Sequence, residues 1–239
     1  MSTINKPYLS LIIPVYNESE RLLPGLQAVR RYLKEQSYRW EIIVVDDGST
    51  IPVSGLKKSE GFRVIRLNTN SGKGAAIRRG MIESKGDMMV FCDIDQSVPV
   101  ETLGLMLKKL KEFPVVITSR RLRDSKILVH QKLFRELSGR IFTKLSNFIC
   151  HTGVADVTCG FKGFRRDEAL ILFRKQRIHR WVFDTEIVFL ARKYKLAVRQ
   201  IAVAWSDKPG SKVRVFDSLK SIVDLFRIRW NDMVGRYEK

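Results

Sequence analysis

Between residues 9 and 118 short apolar runs alternate with longer stretches of helical spacing, and that alternation constrains the fold more than any other feature. Residues 9–15, 40–45, 62–67, 88–92 and 114–118 read as strands, while 19–36, 72–84 and 100–112 read as helices. In 19–36 the residues Leu22, Leu23, Leu26, Val29 and Leu33 share one face, with basic residues opposite. Strands separated by helices at this interval imply an α/β chain with a mostly parallel, doubly wound sheet and helices on both faces. No internal repeat, low-complexity tract or linker interrupts the 239 residues, which read as a single domain in two halves, about 9–118 and about 119–239.

One strand end carries the chemistry. The run Met88-Met89-Val90-Phe91-Cys92 stops at Asp93-Ile94-Asp95, followed by Gln96-Ser97-Val98-Pro99. If the extended geometry continues for three residues, Asp93 and Asp95 project to one side, because strand side chains alternate. Open α/β sheets bind ligands outside the carboxyl ends of their strands. Two carboxylates there suit a hard divalent cation that keeps room for substrate phosphates. The competing explanation is a helix cap or a chance Asp-x-Asp.

Other strand ends point the same way. Residues 40–45 run into Asp46-Asp47-Gly48-Ser49-Thr50, and the loop after 9–15 holds Tyr16-Asn17-Glu18. Ordinary turn chemistry also uses Asp, Gly and Ser, but it does not account for a pair of acids at two separate strand ends. Gly72-Lys73-Gly74-Ala75-Ala76 opens a helix whose N-terminus and lysine suit a phosphate; the alternative is a glycine contact between helix and sheet.

Lys and Arg number 44 against 25 Asp and Glu, a net charge of +19. Nucleic acid, an anionic membrane surface and phosphorylated substrates are the partners such an excess suits. The three cysteines, Cys92, Cys150 and Cys159, have neither disulfide parity nor metal-ligand spacing, which indicates a reducing compartment. No apolar run approaches a membrane span, and Met1 to Tyr8 has no signal core. The expectation is a cytoplasmic protein whose membrane contact is peripheral.

The second half is more basic. Residues 119–149 carry eight Lys or Arg, and Leu133, Phe134, Leu137, Ile141, Leu145, Phe148 and Ile149 fall at helical spacing. Such a helix fits the plane of a membrane interface, or equally a helix packed on the sheet with a solvated basic face. Residues 156–166 read as strand or loop, 167–175 and 181–194 as helices, 196–205 as the last strand, 206–214 as a basic loop, and 216–232 as a final amphipathic helix. Asp184 and Glu186 are either site groups or first-turn acids favoured by the helix dipole.

In order along the chain, Pro14-Val15-Tyr16-Asn17-Glu18, Asp46-Asp47-Gly48-Ser49, Gly72-Lys73-Gly74, Asp93-Ile94-Asp95, Thr118-Ser119-Arg120, Cys159-Gly160-Phe161-Lys162, Phe183-Asp184-Thr185-Glu186 and Ser211-Lys212-Val213 resemble the family-2 glycosyltransferases of the GT-A fold. Within them the pattern is nearest the polyprenyl-phosphate type, the dolichyl-phosphate β-glucosyltransferase and mannose synthase branch, from about residue 9 to 230. The resemblance makes the first half a nucleotide-sugar-binding half and the second an acceptor-binding half. It implies that Pro14, Tyr16, Glu18 and one of Asp46 and Asp47 hold the base and ribose, with Gly72 and Lys73 beside the phosphates. Asp93 and Asp95 would bind Mg2+ or Mn2+ bridging the diphosphate, with Ser97 at the family's third ligand position. Arg120, Arg135, Ser138 and Arg140 would grip the acceptor phosphate, and Lys212 would reach in from its loop. Ile94 stands where the family usually has Ala, and many relatives carry C-terminal membrane helices that this chain does not show.

The resemblance implies an inverting hexosyl transfer from UDP-glucose or GDP-mannose to a polyprenyl (dolichyl or undecaprenyl) phosphate, in which the acceptor is already anionic and needs no general base. A hydroxyl acceptor would instead need a carboxylate base, with Asp184 or Glu186 best placed. A nucleic-acid-binding protein would use the charge but leave the acidic strand ends unexplained, and the chain has no RNA-binding or zinc-finger signature. A membrane adaptor without activity is opposed by the intact acids.

Overall fold

The computed structural model describes residues 6–53, 56, 61–208 and 215–238, with the side chains of Ser19 and 215–219 left aside. Strand β1 (Leu9–Val15) pairs in parallel with β2 (Trp40–Asp46) and β4 (Met88–Phe91), and β2 pairs with β3 (Phe62–Arg66). Strand β5 (Val115–Ser119) pairs in parallel with β8 (Val198–Ala202). These are the expected strands, and they alternate with helices α1 (Ser19–Lys34), α2 (Lys73–Glu83) and α3 (Thr102–Leu110) much as the periodicity requires.

The strands are apolar on both faces because both faces are covered. Leu9, Leu11, Ile13 and Val15 enter one core with Leu22, Leu26, Val29 and Leu33 of α1 and Leu103, Met106 and Leu110 of α3. Ile12, Ile43, Val45, Met89 and Phe91 enter the other, against α2, α5 (Arg166–Lys175) and α6 (Phe183–Lys193). Each such side chain contributes about 1.5–3 kcal/mol of transfer free energy. Leu23, expected on the buried face of α1, is exposed, as its rotation of about 100° from Leu22 dictates.

Two parts of the topology go beyond or against what the sequence pattern indicates. β5 does not lie beside β4: the sheet order is β3-β2-β1-β4-β7-β5-β8, and β7 (Lys162–Arg165) is antiparallel to both neighbours. The segment whose pattern fits strand or loop is therefore a central strand from the second half of the chain, inserted into the sheet of the first. The second departure is at 196–205, which the pattern reads as one strand. It breaks at Val203, so that β9 (Ala204–Ser206) leaves the large sheet and pairs with β6 (Lys126–Val129). Lys126–Val129 lies within the basic segment of helical spacing but is extended; the helix, α4 (Leu133–Cys150), begins only after it. Helix α7 (Val215–Met233) packs against α4 and α6.

The inserted strand sets up the site. Because β7 is antiparallel, its amino end, led by Cys159-Gly160-Phe161, lies at the edge where β1, β2, β4 and β5 end. Segments far apart in the chain thereby face one another.

Candidate functional site

The site begins where β4 stops. Cys92 still donates to the Ile12 carbonyl at 3.1 Å, but the chain then turns at Ile94-Asp95 and Gln96 takes a φ of 55°. Asp93 and Asp95 are thus not alternate residues of a continuing strand, as an extended pleat would make them. A turn brings them together, and Asp95 stabilises it by accepting the Ser97 N–H at 2.9 Å. Between them Ile94 is buried under α1, so close that a Cβ on Gly25 would lie 2.4 Å from its carbonyl oxygen. This is the packing that an isoleucine at the motif's centre serves.

Lys73, the first residue of α2, places its Nζ 2.6 Å from Asp93 Oδ1, and the charges of Asp93 and Asp95 both act on it. The same ammonium lies 5.9 Å from the centre of the Trp181 ring. On the other side of Asp93, a Cβ on Gly160 would come within 2.1 Å of Oδ2, so only glycine fits there. Gly72 has φ 106° and meets the His179 carbonyl oxygen, which explains the glycines here by contact with the 179–183 segment rather than with the sheet.

The Asp46-Asp47 pair shapes the neighbouring loops. Asp46 is fully buried, accepting from the Ser49 and Val53 amides and from Arg66 Nη1 at 2.5 Å. Burial alone would raise it, but these donors hold it below the usual carboxylate range. Asp47 accepts the Ser71 and Gly72 amides, both at 2.8 Å, and so fixes the entry to α2. Asn17 joins the β1 loop to the β2 loop, donating its amide to Ser49 Oγ and accepting from Thr50 N. Glu18 is paired with Arg21 at 2.8 Å, and Pro14 and Tyr16 are half-buried along the same edge.

A second cluster lies across the edge. Arg120 follows β5 and forms a two-pronged pair with Asp156, at 2.6 and 3.0 Å, while its Nη2 donates to Thr158. Burial would raise Asp156, but the Arg120 guanidinium beside it holds the carboxyl well below the usual range. Arg120 also lies over the Trp205 ring of β9 at 5.2 Å. A cavity of about 170 Å³ opens between Arg120, Arg121, Gln131, Glu136, Arg140 and Trp205.

Of the four residues assigned to the acceptor phosphate, Arg120 and Arg140 line this cavity. Arg135 pairs with Asp207 at 3.6 Å instead, and the Ser138 hydroxyl donates to the Phe134 carbonyl of its own helix. Helix geometry gives the reason: Glu136 and Arg140 are one turn apart on one face, whereas Arg135 is displaced by about 140° from Arg140. Lys212 lies outside the described residues. The sequence reading missed Arg121, Asp156 and Trp205 as parts of the cluster. Their signal is a place just beyond the end of β5, just before β7 and on the strand that breaks from β8, and it has meaning only once β7 is placed.

Helix α4 packs against the core through Phe142, Leu145 and Ile149 and leaves its other apolar residues outward. Its buried residues are Thr143, Ser146 and Cys150, while Leu133, Phe134 and Phe148 are 85%, 72% and 80% exposed. Leu137 and Ile141 are exposed too, as are Val223, Phe226, Trp230 and Met233 on the neighbouring α7. A helix laid on the sheet with only its basic face in water is therefore excluded. Among the described residues no helix is long and apolar enough to cross a membrane.

Asp184, whose charge also acts on Lys73, and Glu186, the possible bases, are both buried and paired within the fold. Asp184 is paired at 2.5 Å with the fully buried Lys162, which also donates to the Val157 and Cys159 carbonyls. Glu186, fully buried, accepts from the Arg177 and Ile178 amides and, at 2.5 Å, from Tyr237. Burial pushes Glu186 up to about 7, against the pull of those donors.

Its folded value lies above its unfolded one, so its stabilising contribution is complete below about pH 4.5 and is lost as pH rises towards 7, about 3 kcal/mol in all. Tyr237→Phe removes a donor that favours the charged form over the neutral one. It is expected to lower stability by about 2 kcal/mol at pH 8 and by clearly less at pH 5. Thermal melts at the two pH values would show this difference, and equal losses would rule out a charged Glu186 at pH 8.

Known proteins resemble this chain in sequence and in fold. Residues 10–170 match Glycosyl transferase family 2. The chain is 34% identical over 249 residues to the dolichyl-phosphate beta-glucosyltransferase of Homo sapiens, covering 96% of this chain and 77% of that one. It is 32% identical over 252 residues to the enzyme of the same name from Dictyostelium discoideum, covering 97% and 77%. Among solved structures, glucosyl-3-phosphoglycerate synthase from Mycobacterium tuberculosis with Mn2+, UDP-glucose and phosphoglyceric acid superposes with a TM-score of 0.65 at 17% identity, covering 97% and 80%. At that identity the likeness speaks for the fold.

Proposed function

This chain belongs to glycosyl transferase family 2, and from that premise we propose that it is a GT-A hexosyltransferase that moves glucose from a nucleotide-sugar to dolichyl phosphate, with inversion. The activity of its relatives supplies the substrates. The observation that carries the assignment onto this chain is the pairing of an acidic turn bound to Lys73 with an arginine-lined cavity across the same sheet edge.

The donor set fits a divalent cation. Asp93 and Asp95 offer hard oxygen ligands, and an ammonium already sits on one of them. Among the described residues no three His, Cys, Asp or Glu side chains converge, so diphosphate oxygens, water and Ser97 would complete the shell. Mg2+ and Mn2+ both suit such a site, and the ion would neutralise charge growing on the leaving diphosphate.

Lys73 acts on the same leaving group. Gly72 and the loops held by Asn17, Asp46 and Asp47 enclose the nucleoside, with Pro14, Tyr16 and Glu18 at its edge. Arg120, locked by Asp156 and Trp205, presents a guanidinium whose orientation needs little further ordering. Together with Arg140 it holds the acceptor phosphate in line behind the anomeric carbon, and alignment supplies much of the rate. No base is required, since the attacking oxygen is already anionic. The burial of Asp184 and Glu186 counts against a hydroxyl acceptor.

Helix α4 contributes Arg140 to the cavity and turns Leu133, Phe134, Leu137 and Ile141 outward. We assign this surface, with the exposed residues of α7, to the headgroup region of an anionic bilayer, where the acceptor's chain lies and where each basic residue adds about 1 kcal/mol. The charge of +19 is used there without nucleic acid.

One assay tests both halves. The protein is incubated with radiolabelled UDP-glucose or GDP-mannose, Mn2+ and dolichyl phosphate in anionic or neutral vesicles, which are then sedimented and extracted with organic solvent. Label from UDP-glucose should enter the lipid fraction, and the protein should sediment with anionic vesicles only. Label that stays in the aqueous phase with every donor would overturn the transfer, and equal sedimentation with neutral vesicles would overturn the charged docking.

A further inference from the structure

Asp93 is shared between two neighbours. Its Oδ1 is 2.6 Å from Lys73 Nζ, and its Oδ2 is pressed against Gly160, where not even a methyl group would fit. Of the four oxygens in the acidic turn, Asp93 Oδ1 carries an ammonium, Asp93 Oδ2 lies against Gly160, and Asp95 Oδ1 accepts the Ser97 amide. An ion ligated through Asp93 Oδ1 would share that oxygen with a cation at contact distance, and two cations so close repel strongly.

Lys73 has somewhere else to go. It stands at the first position of α2, and its four-carbon stem lets the ammonium swing while the helix stays fixed. The other nearby carboxylate, Asp184, is already matched by Lys162. An arriving diphosphate is thus the partner that can draw Lys73 away.

We propose that Lys73 is a tethered counter-ion: it holds Asp93 until a nucleoside diphosphate arrives, then moves onto that diphosphate and frees the carboxylate, so that divalent ion and nucleotide bind as a coupled pair. This rests on the donor-site assignment above. It adds that the ion alone binds weakly because one of this chain's own side chains competes with it.

The test is equilibrium binding, independent of turnover. Free Mn2+ is titrated by electron paramagnetic resonance against wild type and Lys73→Met, each with and without UDP. Wild type should bind Mn2+ poorly alone and much better with UDP. In Lys73→Met, Mn2+ alone should bind about tenfold tighter, and the enhancement by UDP should shrink by a similar factor. Lys73→Gln serves as a second variant should the first fail to fold.

Tighter Mn2+ binding with an undiminished UDP enhancement would mean a simple charge effect and would overturn the proposal, as would an unchanged affinity. Mn2+ that binds equally well to both proteins without UDP, while UDP still binds, sinks the tethered counter-ion but leaves the donor site standing. UDP that fails to bind to either protein with Mn2+ present sinks the donor site itself.

Discussion

Asp93→Asn should lower kcat/KM for transfer to the lipid phosphate about 1000-fold, a loss of roughly 4 kcal/mol of transition-state stabilisation. The substitution keeps the shape of the side chain and removes the charge on which both the divalent ion and Lys73 depend. It also turns an amide towards an ammonium, so the turn at Ile94-Asp95 keeps its packing but loses its polarity. Excess Mn2+ should restore little, because the deficit arises in the transition state rather than in occupancy. The measurement is initial rate of label extraction at saturating Mn2+ against donor concentration. Retention of a tenth or more of wild-type kcat/KM would mean that the diphosphate is neutralised by other groups, with Lys73 and Arg120 the first to consider.

The second large effect concerns stability. Lys162 is fully buried, and its ammonium satisfies Asp184 and two backbone carbonyls. Lys162→Met leaves a buried carboxylate without its cation and is expected to destabilise the fold by about 3–5 kcal/mol. Burial pushes the Asp184 carboxyl up while Lys162 opposes it, so without Lys162 the group should protonate more readily and the deficit should narrow at low pH. Replacing both partners, Lys162→Met with Asp184→Leu, should recover much of the loss, because a well-packed apolar pair avoids the cost of burying charge. Urea unfolding at pH 5 and pH 8 distinguishes these cases. A single-variant loss below about 1 kcal/mol would show that solvent reaches the pair.

The pair also shows why function and stability converge on one segment. Lys162 opens β7, and Gly160, two residues before it, crowds Asp93. Damage to the buried pair therefore loosens the wall behind the acidic turn. Arg120 and Asp156 do the same on the acceptor side, where a buried carboxylate orients the guanidinium that faces the cavity.

Much of this is legible in local pattern. Apolar runs of strand length place β1, β2, β4 and β5 within a residue or two, the spacing of Leu133 to Ile149 locates α4, and the acids at strand ends mark the edge where chemistry gathers. Those features depend on side chains close in sequence, whose burial or exposure repeats with the period of the backbone. The order of motifs is likewise sufficient to indicate the family.

Other features are settled only by packing across long separations. β7 has four residues, one a glycine against Met106 and Leu110 of α3 and one a buried lysine, so its local composition does not mark it as a central strand. Its neighbours in the sheet, β4 and β5, supply the hydrogen bonds that make it one. Glu186 has the local signature of a first-turn acid, yet Tyr237, 51 residues away, donates to it. The outward apolar face of α4 obeys the same logic, since periodicity finds a stripe but cannot say which side the rest of the protein occupies. The chain's own order determined which residues are strand, helix and strand-end acid, because those depend on near neighbours. Which of those acids face a substrate and which are consumed in holding the fold was decided by partners that only the folded chain brings within reach.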